Sequence, residues 1–314
     1  MIVDAYCHVG LPRFGSLEDA LTVAQVFGVE RSVLVLGPMV PDYVTLFRAI
    51  AAYPDTLRGV GIPFGENEAQ QGEIAEIQLR AGIAGLRLSA SEILQYPAVP
   101  ELVGQSGRWI YAVSIIDNSA AAEYLVDWLE RYPACRVAAP HFLCVSDGGI
   151  SSPLAELISH PRFYPIFSRH GGLGSQESYP HMDFVPWVES VVALCGWQRA
   201  MFGSEYPVIF WRDETYASCL DWVREIQPQA SAIELAGLFG DTANQLLFEE
   251  TQPAREEVVV PPWVGEQFDR NRTVPLWDGR EVPMDAIQDW LELYVEELKE
   301  ERAALFSRSK GNKT

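Results

Sequence analysis

Ala200-Met201-Phe202-Gly203-Ser204-Glu205-Tyr206-Pro207 decides how this chain is read. An apolar run reaches a Gly-Ser pair, a carboxylate follows at once, and a proline stops the extended segment. A short buried strand that ends on a charged residue has the pattern of the C-terminal rim of a β/α barrel. That rim is where such barrels keep their chemistry.

The same pattern recurs upstream. Apolar runs at 2–6, 32–36, 57–63, 84–88, 109–116, 136–139 and 164–168 read as strands, with 200–202 as the eighth. Segments 16–27, 43–53, 66–81, 97–104, 120–132, 154–159 and 184–195 read as the helices between them, and 216–226 and 233–247 as closing helices. Ser16, with Glu18 and Asp19 behind it, is a helix-start signal. Such alternation requires parallel strands joined by helical crossovers. It predicts a (β/α)8 TIM barrel over residues 1–250, close to the usual ~250 residues of that fold. A doubly wound open sheet shares the local pattern and is the alternative. No Gly-x-Gly-x-x-Gly follows the first strand, which weakens any dinucleotide-binding version.

Composition changes beyond residue 250. Residues 251–314 read as a C-terminal extension ending in one long amphipathic helix over 283–306, with Ile287, Trp290, Leu291, Tyr294 and Leu298 on one face. Pro261-Pro262-Trp263 before it is expected to be extended and to reach toward a pocket mouth. The apolar helix face needs cover, either from its own barrel or from a second copy in a two-fold homodimer.

A formal charge of −20 repels phosphate backbones and anionic lipid, so neither nucleic acid nor a membrane surface is expected as a partner. No run of roughly 18 apolar residues marks a membrane span. The opening Met1-Ile2-Val3-Asp4 lacks the basic start of a signal peptide, so the protein is read as cytoplasmic. Cys7, Cys135, Cys144, Cys195 and Cys219 are odd in number and scattered, which fits neither a disulfide framework nor a zinc knuckle. Cys7 alone stands beside a candidate site residue.

Of the five histidines, His8, His141 and His170 each follow a predicted strand; Glu205 joins them from the eighth strand and Arg87 from the fourth. Any one such histidine is more often structural. A barrel, however, brings strand C-termini to one pocket, and His8, His141 and Glu205 are therefore read together as a site.

These residues carry a resemblance. Asp4-Ala5-Tyr6-Cys7-His8-Val9-Gly10 resembles the opening of the amidohydrolase superfamily, in its amidohydrolase-related group, where the pattern is Asp-x-His-x-His. Gly82-Ile83-Ala84-Gly85-Leu86-Arg87-Leu88 is similar to that group's fourth strand and Ala139-Pro140-His141 to its sixth. Phe202-Gly203-Ser204-Glu205-Tyr206-Pro207 resembles its Phe-Gly-Ser-Asp-x-Pro, and 235–248, with Asn244, its closing helix. The resemblance spans 1–250 and leaves the extension uncovered. It implies a TIM barrel and either hydrolysis, as in pyrone and sugar lactonases, or metal-dependent decarboxylation.

The chain departs from the group at the metal site. Tyr6 stands for the first metal-binding histidine, Ser114-Ile115-Ile116-Asp117 holds no histidine at the end of strand five, and Glu205 replaces an aspartate. Zinc centres use at least three well-placed protein ligands. No tightly bound metal and no cofactor are therefore expected, with loose zinc at His8, Glu205 and His141 left open. The resemblance includes a lactonase branch that works without metal, in which the strand-eight carboxylate activates water. Glu205 is accordingly expected to be the base, since burial moves a carboxylate pKa toward neutrality. His8 or His141 would polarise a carbonyl and Tyr6 would donate to the oxyanion. Arg87 and Arg169 would grip a substrate carboxylate, with His170 and Trp211 lining the pocket. The expected substrate is a small carboxylated or cyclic ester-like molecule. The competing functions are an amidohydrolase-type decarboxylase and an inactive barrel that binds a small molecule or a protein.

Overall fold

The computed structural model describes residues 1–11, 13–38, 40–144, 149–168, 175–209, 214–227, 230–250, 253–268, 273–275 and 281–283. Parallel strands pair in sequence order: β1 (Val3–Val9), β2 (Arg31–Leu36), β3 (Leu57–Gly61), β4 (Gly85–Ser89), β5 (Trp109–Val113), β6 (Arg136–Ala139), β7 (Phe163–Phe167) and β8 (Met201–Phe202). This order excludes the doubly wound sheet, whose strand order reverses at a switch point. Helices alternate with them: α1 (Leu17–Val26), α2 (Tyr43–Ala52), α3 (Glu68–Arg80), α4 (Ala90–Gln95), α5 (Ala98–Gln105), α6 (Ser119–Arg131), α7 (Ser152–Ser159), α8 (Val185–Cys195) and α9 (Tyr216–Ile226). Among the described residues, no helix is long and apolar enough to cross a membrane.

Local sequence explains many of these boundaries. Ser16 caps α1 through a reciprocal pair with Asp19. Ser89 does the same for α4 with Glu92, and the crossover after β4 is two short helices where one was expected over 97–104. Strand residues alternate between two apolar layers. Val33, Val35, Val60, Tyr111 and Ile166 fill the barrel, while Leu34, Leu36, Leu86 and Ile110 meet the helices.

Closure falls between β8 and β1. The Glu205 N–H donates to the Tyr6 carbonyl at 2.8 Å, and the His8 N–H to the Tyr206 carbonyl at 2.7 Å. Gly203 permits this approach, because a Cβ there would stand 2.7 Å from that of Tyr6. Asp4 ties the seam from below. Its carboxylate accepts from the Ser204 N–H (3.0 Å), the Ser204 hydroxyl (2.6 Å), the Tyr216 hydroxyl (2.6 Å) and the Tyr6 N–H (3.1 Å).

The closing helical run differs from regular α-helix. α10 (Ala232–Ala236) continues as wide i→i+5 turns over Gly237–Asp241 and Gln245–Glu249, on either side of α11 (Thr242–Asn244). Gly240 lies within it against the Met1 carbonyl, 2.6 Å from where a Cβ would be. Pro261-Pro262-Trp263 is not extended throughout. Pro261 is, but Pro262 and Trp263 begin α12 (Pro262–Gln267), because a proline lacking its N–H fits a first helical turn. Two short strands, β9 (Thr273–Pro275) and β10 (Glu281–Pro283), pair antiparallel beyond it. The long helix expected over 283–306 lies, apart from Pro283 in β10, outside the described residues.

Asp4→Ala leaves several buried donors without an acceptor, each costing about 1–3 kcal/mol. The variant is expected to lose about 3 kcal/mol or more in urea unfolding. A loss below about 1 kcal/mol would show that the seam does not depend on this carboxylate.

Candidate functional site

The C-terminal rim gathers Tyr6 and His8 from β1, Arg87 from β4, His141 after β6, Ser168 after β7 and Glu205 after β8. A bulge in β1 makes this arrangement possible. Its register against β2 shifts between Asp4 and Cys7. Ala5 and Tyr6 consequently both belong to the layer inside the barrel, and the alternation then continues with Cys7 against the helices. Bulges commonly re-aim a side chain beside a site. Without it, Cys7 would face inward in place of Tyr6 and His8. Cys7 is turned away, with its thiol toward the Val33 carbonyl and its pKa pushed well up by burial.

His8 is buried, with its ring stacked on Phe14 at 4.6 Å. Its Nδ1 lies 2.9 Å from the Val35 carbonyl, which can only accept, so Nδ1 carries the proton. Burial lowers the His8 pKa to about 3, against the opposing pull of Glu205. His8 is thus neutral and presents a lone pair at Nε2. The expected carbonyl-polarising role does not suit that tautomer, which accepts a proton at Nε2 and does not donate one there.

His141 is arranged the other way round. The Ser168 hydroxyl oxygen accepts from the His141 N–H at 2.9 Å and lies 3.2 Å from Nδ1. A hydroxyl oxygen both donates and accepts, so this contact alone does not set the tautomer; the Glu205 carboxylate facing Nε2, which accepts when ionised, places a ring proton there. Nε2 stands 3.5 Å from Glu205 Oε1. Both side chains are almost wholly buried, at 9% and 1% exposure, so their interaction is weakly screened.

The backbone here is unusual. Glu205 has φ +57°, and His141, Phe142, Leu143 and Cys144 form a left-handed turn at +61°, +46°, +72° and +63°. Ser114, after β5, has +56°. Non-glycine residues in this region store strain of order 1–3 kcal/mol and cluster at functional sites. The indole of Trp187 donates to the Phe142 carbonyl at 3.0 Å and helps hold the turn.

Arg87 Nε donates to the Tyr6 phenol oxygen at 3.1 Å. That contact makes the Tyr6 O–H a stronger donor toward developing negative charge. Tyr111, stacked near Tyr6 at 6.4 Å, lies beneath the site. Its buried hydroxyl has no hydrogen-bond partner among the described residues. Tyr111 and Ser168 were missed in the sequence. Period-two alternation from Trp109 would have marked Tyr111 as inward-facing. Nothing local marks Ser168.

A cavity of about 440 Å³ opens beside Arg87, lined also by Phe64, Gln71, Ser89, Ser114 and Gln267. Gln267 belongs to α12, so the extension forms part of the cavity wall. Trp263 stacks on Phe64 with planes 2° apart and donates to Glu73 at 3.0 Å, which anchors α12 there. Arg169, His170 and Trp211 lie outside the described residues.

The residues do not suit a resident zinc ion. Among the described residues no three His, Cys, Asp or Glu side chains converge as a metal-holding group. His8 Nε2 is a suitable donor, but the adjacent phenol is engaged by a guanidinium, and a cation there opposes a dication.

No family model matches the chain, and no curated protein is a detectable relative. Solved structures do share its fold. The probable 2-pyrone-4,6-dicarboxylic acid hydrolase of Acinetobacter baumannii, with citric acid bound, has a TM-score of 0.61 at 15% identity, over 78% of this chain and 98% of that one. An amidohydrolase from Burkholderia multivorans with bound zinc scores 0.60 at 14% identity over 78% and 98%. The 2,6-dihydroxybenzoate decarboxylase of Rhizobium scores 0.56 at 12% identity over 79% and 98%. At these identities the likeness establishes the barrel fold.

Because the folded His8 pKa lies below the unfolded value of 6.5, the unfolded chain binds the extra proton between about pH 3 and 6.5. Stability therefore gains from His8 as pH rises through that window and loses it as pH falls. His8→Asn is expected to flatten the acid limb of a pH-dependent unfolding curve, by up to about 1.4 kcal/mol per pH unit. An unchanged slope would contradict a buried neutral His8. Separately, protein purified without chelator is expected to carry far less than one zinc per chain by elemental analysis, and near-stoichiometric zinc would overturn the reading of the donor set.

Proposed function

We propose that the chain is a hydrolase of small carboxylated or cyclic ester-like substrates, lactones among them, that activates water with Glu205 and does not require a metal. The observation that carries this reading is the His141 Nε2–Glu205 Oε1 approach of 3.5 Å beside the Arg87–Tyr6 pair. Glu205 takes a proton from water as its oxygen attacks the substrate carbonyl carbon. The Tyr6 O–H and the His141 Nε2–H stabilise the oxyanion formed, as fixed donors do well in a dry site. When the carbonyl re-forms, the C–O bond to the leaving oxygen breaks. That oxygen takes the proton held by Glu205, leaving a hydroxy acid. His8, with its lone pair inward, accepts from a substrate hydroxyl.

Arg87 gives the cavity its cation and fits a carboxylate by paired hydrogen bonds. The Acinetobacter neighbour's bound citric acid lends support for carboxylated ligands in a barrel of this shape.

Glu205→Gln is expected to lower kcat on a carboxylated lactone by roughly two to four orders of magnitude with little change in KM. Arg87→Gln should raise KM more than it lowers kcat. Carbon dioxide in place of a hydroxy acid would assign decarboxylation. Ligand binding without turnover, unaffected by Glu205→Gln, would assign an inactive binding barrel.

A further inference from the structure

We propose that the opposite, N-terminal face of the barrel carries a binding site for a small oxyanion, a phosphate or a carboxylate, formed by Arg58, Arg108 and Arg136. These residues stand at the start of β3, immediately before β5 and at the start of β6. They line a cavity of about 260 Å³ together with Trp109, Leu247 and Glu250. The site is separate from the rim that holds Glu205 and stands independently of the proposed hydrolase reading.

The guanidiniums are not used up by the fold. Arg58 is only 3% exposed. Its Nε donates to the Leu247 carbonyl at 2.7 Å, and its Nη1 to the carbonyls of Pro54 and Leu57. It also lies over the Phe248 ring at 4.4 Å. These contacts explain why an arginine is there, yet its Nη2 is buried with no hydrogen-bond partner among the described residues. The Nε of Arg108 is in the same condition. Buried donors are normally paired, and an unpaired one in a native structure calls for a ligand or an explanation. Arg136 meets the Glu250 carboxylate and lies 5.6 Å from the Trp109 ring.

The charge count points the same way. Glu250 is the one carboxylate in the cavity wall among the described residues, and Arg136 already engages it. Burial, and after it the positive potential of Arg255 and Arg31 with Asp55 opposing, lowers the Arg58 pKa to about 10. Burial lowers that of Arg108 too. The wall thus sets three arginines against one glutamate, a local excess of positive charge in a chain of formal charge −20. An anion whose oxygens face several directions would neutralise it and engage both spare N–H groups. Such a ligand would join β3, β5 and β6 to the last turn of the closing helical run, and would raise stability by mass action.

Isothermal titration calorimetry of the full chain with inorganic phosphate and with malonate, at matched ionic strength in chloride, tests this. Saturable binding of either anion and a rise in Tm are expected, and the tighter of the two assigns the headgroup. Arg108→Gln should weaken binding at least tenfold when made in an Arg87→Gln background, which removes the rim cation so that a carboxylate held there does not contribute to the titration. Arg136→Gln supplies the same test if Arg108→Gln folds poorly by circular dichroism. The proposal is overturned if neither anion saturates, if the cavity variants bind as tightly as the parent, or if Arg87→Gln abolishes binding.

Discussion

The Asp4 carboxylate is the point on which the barrel and its rim both depend. It receives the Ser204 N–H and hydroxyl and the Tyr216 hydroxyl across the seam, and the Tyr6 N–H beside it. Burial pushes its pKa up, and the donors from Ser204 and Tyr216 pull against that. The result joins the first strand, the eighth strand and α9 at one buried atom pair. Because Ser204 precedes Glu205, the contact that closes the fold also fixes where the rim carboxylate stands and permits its left-handed backbone. Because it reaches Tyr6, the same contact sits within the bulge that turns Tyr6 and His8 inward.

The two rim histidines show how environment divides one residue type into different tools. A carbonyl partner at Nδ1 leaves His8 with a lone pair facing the pocket. At His141 the Glu205 carboxylate faces Nε2 and draws a proton there. Neither difference is encoded in the histidines themselves. It follows from what each ring meets, the Val35 carbonyl at Nδ1 of His8 and the Glu205 carboxylate at Nε2 of His141.

This division also explains what the sequence could and could not tell. Strand order, the Ser16 cap and the placement of His8, His141, Arg87 and Glu205 at strand ends were legible, because they depend on short-range pattern and on one topological rule. Ser89-x-x-Glu92 is an equally local signal for α4. The β1 bulge was not legible. It inserts an extra residue without any glycine or proline to mark it, and strict alternation would have sent Tyr6 and His8 outward. The left-handed turn from His141 to Cys144 was hidden for a related reason, since it is held from outside by Trp187, 45 residues further along the chain. Tyr111 and Ser168 matter through what they lie against, and that is known only once the barrel closes. The N-terminal arginines carry no local signal, because each, taken alone, reads as an ordinary surface cation.

The wall that α12 contributes to the larger cavity has a bearing on how this protein can diversify. Trp263 and Gln267 come from a segment outside the eight βα units, docked on Phe64 and Glu73 by one stacked ring and one indole hydrogen bond. The groups that would carry out chemistry belong to the barrel, whereas part of the boundary that admits a molecule belongs to the extension. Changes in a peripheral segment can thus redraw the range of molecules accommodated while leaving the geometry at Glu205 and His141 untouched.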